Sequence, residues 1–218
     1  MPQAEVRAYR AEDRDAVRRI CFATGYMGAP ADWYWRHSES FAEIWTGYYT
    51  DHEPESLFVA TLDDRVVGYL TGCVDTKRAP SPADAVKAAM LRYWLFLRPG
   101  TAGFFFRALV DVVCLGGAPE GETDDPRYPA HLHINLLPEA RGTGLGAGLM
   151  RAWLDRLRSL GVPGCHLGTL HENENAIGFF THQGFQRHGP PVATPGLRSP
   201  DGQIHHVQLM VREIDVGV

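Results

Sequence analysis

The residues best suited to chemistry in this chain begin with a turn, Arg141-Gly142-Thr143-Gly144-Leu145-Gly146. Three glycines at alternate positions let the backbone bend sharply and let a ligand come close to the main chain. Beyond them, Leu145, Leu149, Trp153, Leu157 and Leu160 recur at helical spacing, with Arg151, Asp155, Arg156 and Arg158 between them. A helix from Gly144 to Leu160, stopped by Gly161, would aim its unpaired N–H groups and positive dipole end at the turn. Turn and helix together form an anion cradle suited to a pyrophosphate. No Lys-Ser/Thr follows the glycines, so this is not the phosphate loop of an NTPase. The spacing is also not that of the dinucleotide fingerprint.

The second group is titratable. His131, His133, His171, Glu172 and His182 are the candidate proton acceptors, histidine being best matched to neutral pH. Taken singly, each histidine reads more readily as a structural or surface imidazole. His133 is preferred because it lies on the strand that runs into the turn, and Glu172 comes next, at the end of the following strand.

These residues need elements to hold them. Tyr128 to Leu137 alternates and reads as a strand, which places His131, His133 and Asn135 on one face and Leu132, Ile134 and Leu136 on the other. Cys165 to Leu170 reads as the next strand, and Asn173 caps a short helix that runs through Gln183 to Gly184. Upstream, Ala4 to Tyr9 is a strand followed by a helix. The aromatic-rich stretch Phe22 to Thr50 contains a second helix from about Ser38, whose rings could form a substrate wall or ordinary core. Glu55 to Leu62 and Arg65 to Val74 make a hairpin around Asp63-Asp64. Ser81-Pro82 starts a helix to about Phe96, Arg98-Pro99-Gly100 ends it, and Ala102 to about Leu115 is another, apolar nearly all round, which calls for burial on more than one side. Gly116 to Pro126 reads as an acidic loop, Gly189 to Pro200 as a Pro/Gly loop, and Ile204 to Ile214 as a final strand.

Composition limits the possibilities. The 218 residues are 44% hydrophobic, enough for a substantial core, and the net charge of −5 argues against a nucleic-acid partner. Cys21, Cys73, Cys114 and Cys165 are far apart with no metal-ligand spacing, so no metal is expected; free thiols fit a reducing cytoplasm. The first twenty residues are too charged for a secretory leader, and Met90 to Leu115 is too interrupted by arginines to span a membrane, so no membrane partner is expected.

The pattern R-x-x-G-x-G/A after a strand ending near a proline resembles the pyrophosphate loop of the GNAT family of N-acetyltransferases. The opening VRAYRAEDRDAVRRI, the RVVGY strand, and the segment from Asn175 through Phe179-Phe180 to Gly184-Phe185 resemble other parts of that family. The resemblance implies an α/β (α+β) fold over residues 1–218, a single domain with a mixed, mostly antiparallel central sheet, flanking helices, and a helical-hairpin insertion at about 76–127. It implies acetyl-CoA as cosubstrate and an amine acceptor on a small molecule or protein, attacked directly in a ternary complex. The coenzyme would be held by the backbone of Ile134, Leu136 and Leu137, by Arg141, Gly142, Thr143, Gly144, Leu145 and Gly146, and by Asn175, Phe179 and Phe180. Family members often carry a bulge in the strand before the turn. The tyrosine that often serves as general acid corresponds to Phe180, and the strand carboxylate used by some members corresponds to Ala130. Both roles are therefore vacant or filled elsewhere, and the alternative is a module that binds acetyl-CoA and transfers little. RYPAHLHINLLPEAR, with the preceding insertion, also looks like the acetyltransferase-like C-terminal domain of animal O-GlcNAcases, in which the glycine turn is degraded. Here it is intact, which implies a stand-alone relative that keeps acetyl-CoA binding. The apolar insertion is a candidate homodimer face.

Overall fold

The computed structural model describes residues 3–98, 101–115, 123–199 and 201–215. Its eight strands are β1 (Ala4–Ala8), β2 (Leu57–Leu62), β3 (Arg65–Cys73), β4 (Ala130–Leu136), β5 (Gly164–Leu170), β6 (Gln186–Arg187), β7 (Val192–Arg198) and β8 (Ile204–Glu213). They form one sheet in the order β1-β2-β3-β4-β5-β8-β6, and β7 also pairs with β8. The β4–β5 pairing is parallel and the others are antiparallel. The β2–β3 hairpin closes through Asp63 and Asp64, both at positive φ (48° and 64°), the twist a two-residue hairpin turn requires.

The alternation in β4 divides the core. Leu132, Ile134 and Leu136 face helix α6 (Leu145–Ser159), whose Leu149, Trp153 and Leu157 are fully buried against Leu70. Leu160, expected on the same stripe, lies beyond the last helical residue and is 50% exposed. The packing here is tight: a Cβ built on Gly72 would come within 2.3 Å of the Trp153 ring. The opposite face of the sheet packs on helix α1 (Arg14–Ala23) and on the aromatic stretch, with Val17, Trp35, Phe41 and Tyr69 buried together.

The helix expected from Ser38 is present but not uniform. It runs as α2 (Ser38–Ala42), one π-helical turn (Glu43–Gly47) and α3 (Tyr48–His52). The sequence between β3 and β4 forms the expected helices α4 (Pro82–Tyr93) and α5 (Ala102–Leu115). Ser81 caps α4 by accepting the Asp84 N–H (3.2 Å), with Pro82 in the first position. The expectation of burial on several sides is corrected within the single chain. Phe104 and Phe105 pack on Trp35, whereas Leu91, Trp94, Leu97, Phe106, Leu109 and Val113 remain exposed. Of the acidic loop expected at Gly116–Pro126, residues 116–122 lie outside the described residues, as do Pro99 and Gly100.

Two further expectations are overturned. The Pro/Gly stretch is not simply a loop, because Val192–Arg198 forms strand β7. Its register on β8 shifts between Ala193 and Arg198, which accommodates Pro195 and lets Gly196 adopt φ +80°. Helix α5 holds this bulge: Asp111 accepts the Gly196 N–H (2.8 Å) and pairs with Arg198. The bulge expected in β4 is absent, since the β3–β4 register is unbroken from Gly68↔Leu136 to Cys73↔His131. No described helix is long and apolar enough to cross a membrane.

Candidate active site

Strands β4 and β5 pair only at Ala130↔Cys165 and His131↔His166, and then part. The opening comes from this parting and needs no bulge. The Leu137 N–H bonds the Val67 carbonyl (2.8 Å), so in an antiparallel ladder the odd residues of β4 spend their backbone groups on β3. The N–H and C=O groups of Ile134 and Leu136 therefore point away from β3 on the side of the opening, with the Leu136 carbonyl taken by Arg141. Leu137 differs: its N–H is used by Val67 and its carbonyl accepts from Ala140 N–H (3.0 Å).

The opening widens into a cavity of about 870 Å³. One end is the glycine turn. Gly142 and Gly144 sit at φ 74° and 84°, and a Cβ on either would meet nothing within 4 Å, so both face open space. The α6 ladder begins with Gly148 N–H to Gly144 C=O (3.0 Å), and Gly144 provides no side-chain cap; the N–H groups of Leu145, Gly146 and Ala147 thus precede the ladder and face the turn. The Leu145 side chain is in the core, leaving only its backbone for a ligand. Gly146 is required for close packing: a Cβ there would lie 3.0 Å from Leu136 and 3.4 Å from Phe179. Thr143 donates its hydroxyl to Ala140 C=O (2.7 Å), bracing the turn. Arg141 donates to Leu136 C=O (3.1 Å) and Gly28 C=O (2.6 Å), joining the turn to the loop after α1. Helix α7 (Glu174–His182), capped by Asn173, brings Asn175, Phe179 and Phe180 to the same wall. Phe180 is buried against Phe185, a phenyl ring without a proton to give.

The histidines separate by environment. His131 is buried and fully bonded. Thr76 gives its hydroxyl proton to Pro129 C=O (2.9 Å), so His131 Nδ1 donates to Thr76 (2.7 Å) and Nε2 accepts from Tyr49 (2.7 Å). Burial pushes its pKa well below the ordinary value, with repulsion from His133 and His166 adding to the effect. His133 lines the cavity, meeting the rings of Trp45 (5.5 Å), Tyr49 (5.7 Å) and His131 (5.9 Å). Burial, then His166, lower it to about 4. It is neutral at physiological pH and a weak base. His182 lines the cavity from α7, and His171 Nδ1 is enclosed without a hydrogen-bond partner among the described residues.

Glu172 is already engaged. Burial raises its pKa, but hydrogen bonds from the His206 ring (2.9 Å) and backbone (3.1 Å), with His205 Nδ1 3.2 Å away, outweigh that and hold it at about 2. His205 in turn meets the Tyr26 hydroxyl (2.8 Å). The carboxylate fastens β5 to β8 and is poorly placed to take a proton.

Sequence reasoning offered the aromatics of Phe22 to Thr50 as a substrate wall or ordinary core, and Tyr34, Phe41 and Trp45 do line the far side of the cavity; it missed the polar network beside them. Tyr69 donates to Asn135 Oδ1 (3.0 Å), and Asn135 donates to Thr24 (2.7 Å), whose hydroxyl bonds Ile20 C=O (2.6 Å). This network lies beside Cys21, Tyr34, Phe41 and Trp45. The strand parity of Asn135 with His133 was the available signal. Trp45 enters the wall from the π-helical turn, which no periodicity announces.

Comparison with known proteins adds the lineage. A description of the acetyltransferase (GNAT) family matches residues 27–185. The crystal structure of SsHAT is similar over 98% of this chain and 99% of that one, at 26% identity and TM-score 0.65. The Drosophila melanogaster polyamine N-acetyltransferase aligns at 18% identity and TM-score 0.61, over 97% of this chain and 100% of that one. The structure of yncA from Salmonella typhimurium with its cofactor acetyl-CoA aligns at 14% and 0.58, over 99% and 96%. The last two likenesses speak to fold alone.

Proposed function

Because the chain belongs to the acetyltransferase (GNAT) family and is an acyltransferase, we propose that it moves the acetyl group of acetyl-CoA to a primary amine by direct attack in a ternary complex. The observation that carries this reading is the continuous cavity from Gly142 and Gly144 through the β4–β5 opening to Trp45. Bound there, acetyl-CoA supplies an activated thioester. The N–H groups at the start of α6 and the Arg141 guanidinium would hold the pyrophosphate, and the Ile134 backbone with the Leu136 N–H would hydrogen-bond the pantetheine arm. The amine nitrogen bonds to the acyl carbon, the C–S bond breaks, and the thiol leaves with the proton the amine gives up.

Neither bet on the base is favoured by its surroundings: His133 is desolvated and Glu172 is tied to His206. The amine must then enter neutral, or lose its proton to water. The vacant acid position at Phe180 favours the second reading, a module that binds acetyl-CoA and transfers little. Calorimetric titration with acetyl-CoA, followed by thiol release with a panel of amines, tests both. Binding with release supports the transferase, binding without any release supports the module, and no binding removes the coenzyme assignment.

A further inference from the structure

We propose that the acceptor is a small amine with an uncharged aromatic or bulky apolar body, and that polyamines and guanidinium-bearing amines are poor acceptors. This rests on the transferase reading above and concerns the far half of the same cavity.

The argument starts from charge. Among the described residues lining the cavity there is no aspartate or glutamate, and its cation is Arg141 at the coenzyme end. An amine with a second positive group would bring that charge into a space with no counter-charge, at the cost of its hydration. The walls offer apolar contact instead. Tyr34, Phe41 and Trp45 line the cavity, together with Leu197 from β7 and Val207 from β8. Tyr34–Phe41 and Phe41–Trp45 lie 6.3 and 6.2 Å apart, a set of ring edges and faces against which another ring packs well. The polar network from Tyr69 through Asn135 to Thr24 is internally satisfied, so it makes a neutral floor.

The same surroundings address the missing base. Desolvation disfavours the charged form of any cationic acid, as His133 shows for a group already in this cavity. An ammonium entering the apolar half is therefore pushed toward the neutral form that attacks a thioester. The wall that selects the acceptor also prepares it, and the vacancy at Ala130 is no obstacle.

The test is thiol release at saturating acetyl-CoA with 2-phenylethylamine, tryptamine, n-butylamine, putrescine, spermidine and agmatine. The kcat/KM for the two aryl amines should exceed that for putrescine and agmatine by about tenfold or more, with n-butylamine between. Trp45→Ala should raise KM for the aryl amines by about tenfold and leave acetyl-CoA affinity as in the parent. Trp45 is 36% exposed, so Trp45→Glu should also fold, and it should move the preference toward agmatine. Preference for agmatine or a polyamine in the parent enzyme overturns the inference. Acetyl-CoA binding with no release from any aryl amine overturns it as well. Failure to bind acetyl-CoA strikes the transferase reading instead, which keeps the two outcomes distinct.

Discussion

Lowering the pH tests whether His133 is held neutral by its surroundings. The unfolded imidazole titrates near 6.5 and the folded one at about 4. Between those values the unfolded chain binds a proton that the folded chain refuses, so stability falls as pH drops from 6.5 toward 4 and then levels off for this group. The full shift corresponds to about 3 kcal/mol. Since the ring keeps some surface on the cavity, about 2 kcal/mol is the working figure at pH 4.5. His131 and His166, whose pKa values burial also lowers, add losses of the same sign. A comparison isolates His133: urea unfolding of the parent and His133→Gln at pH 7.5, 6.5, 5.5 and 4.5. Glutamine has a similar reach and no titration, and the contacts of His133 are ring contacts. The parent should lose about 2 kcal/mol more than the variant between pH 7.5 and 4.5. Parallel profiles would refute the desolvation argument, and with it part of the case for an apolar acceptor cavity.

Other outcomes follow from the same geometry. Gly144→Val forces a β-branched residue to φ +84° and fills space facing the turn; acetyl-CoA affinity by calorimetry should fall at least about 50-fold while the circular dichroism spectrum stays native-like. Glu172→Gln should lower kcat less than about threefold, since a carboxylate at about 2 takes no proton from an amine, whereas loss of its bonds to His206 should lower the melting temperature by a few degrees. Asp111→Ala leaves Arg198 and the Gly196 N–H without their partner; a loss of about 2–3 kcal/mol in urea unfolding is expected, with faster proteolysis at the α4–α5 hairpin.

The sequence disclosed what local rules control. Asp63-Asp64 marked its hairpin, the leucine stripe with Trp153 marked α6, and Ser81-Pro82 marked the start of α4, because each signal lies within a few residues of the structure it specifies. The glycine turn proposed to hold the coenzyme was legible for the same reason, since its glycines and the start of α6 are neighbours in the chain. Strand β7 was hidden because Pro195 and Gly196 carry loop signals. They become part of a strand through pairing with β8 and through Asp111, 85 residues away along the chain from Gly196. The engagement of Leu137 and Glu172 was equally non-local: one depends on ladder parity against β3, the other on two histidines from β8. The cavity wall proposed for the acceptor draws on α1, the π-helical turn, β3, β4 and β7, and no one of these announces its neighbours.

The π-helical turn at Glu43–Gly47 holds one more residue than an α-turn would, so it acts as a phase offset between two stretches of helix. Phe41 lies before it; Tyr49, which grips His131, lies after it. Removing the extra residue here would let the helix run straight, keep the two flanking stretches in phase, and re-aim the side chains of the turn itself by up to about 100°. Trp45 would be re-aimed while Tyr49 keeps His131, with the sheet and the glycine turn untouched. A one-codon deletion or insertion is thus a larger lever on acceptor choice than most point substitutions. Descendants of such a chain could diverge in what they acetylate by changes in length at this turn, while the coenzyme end stays as it is.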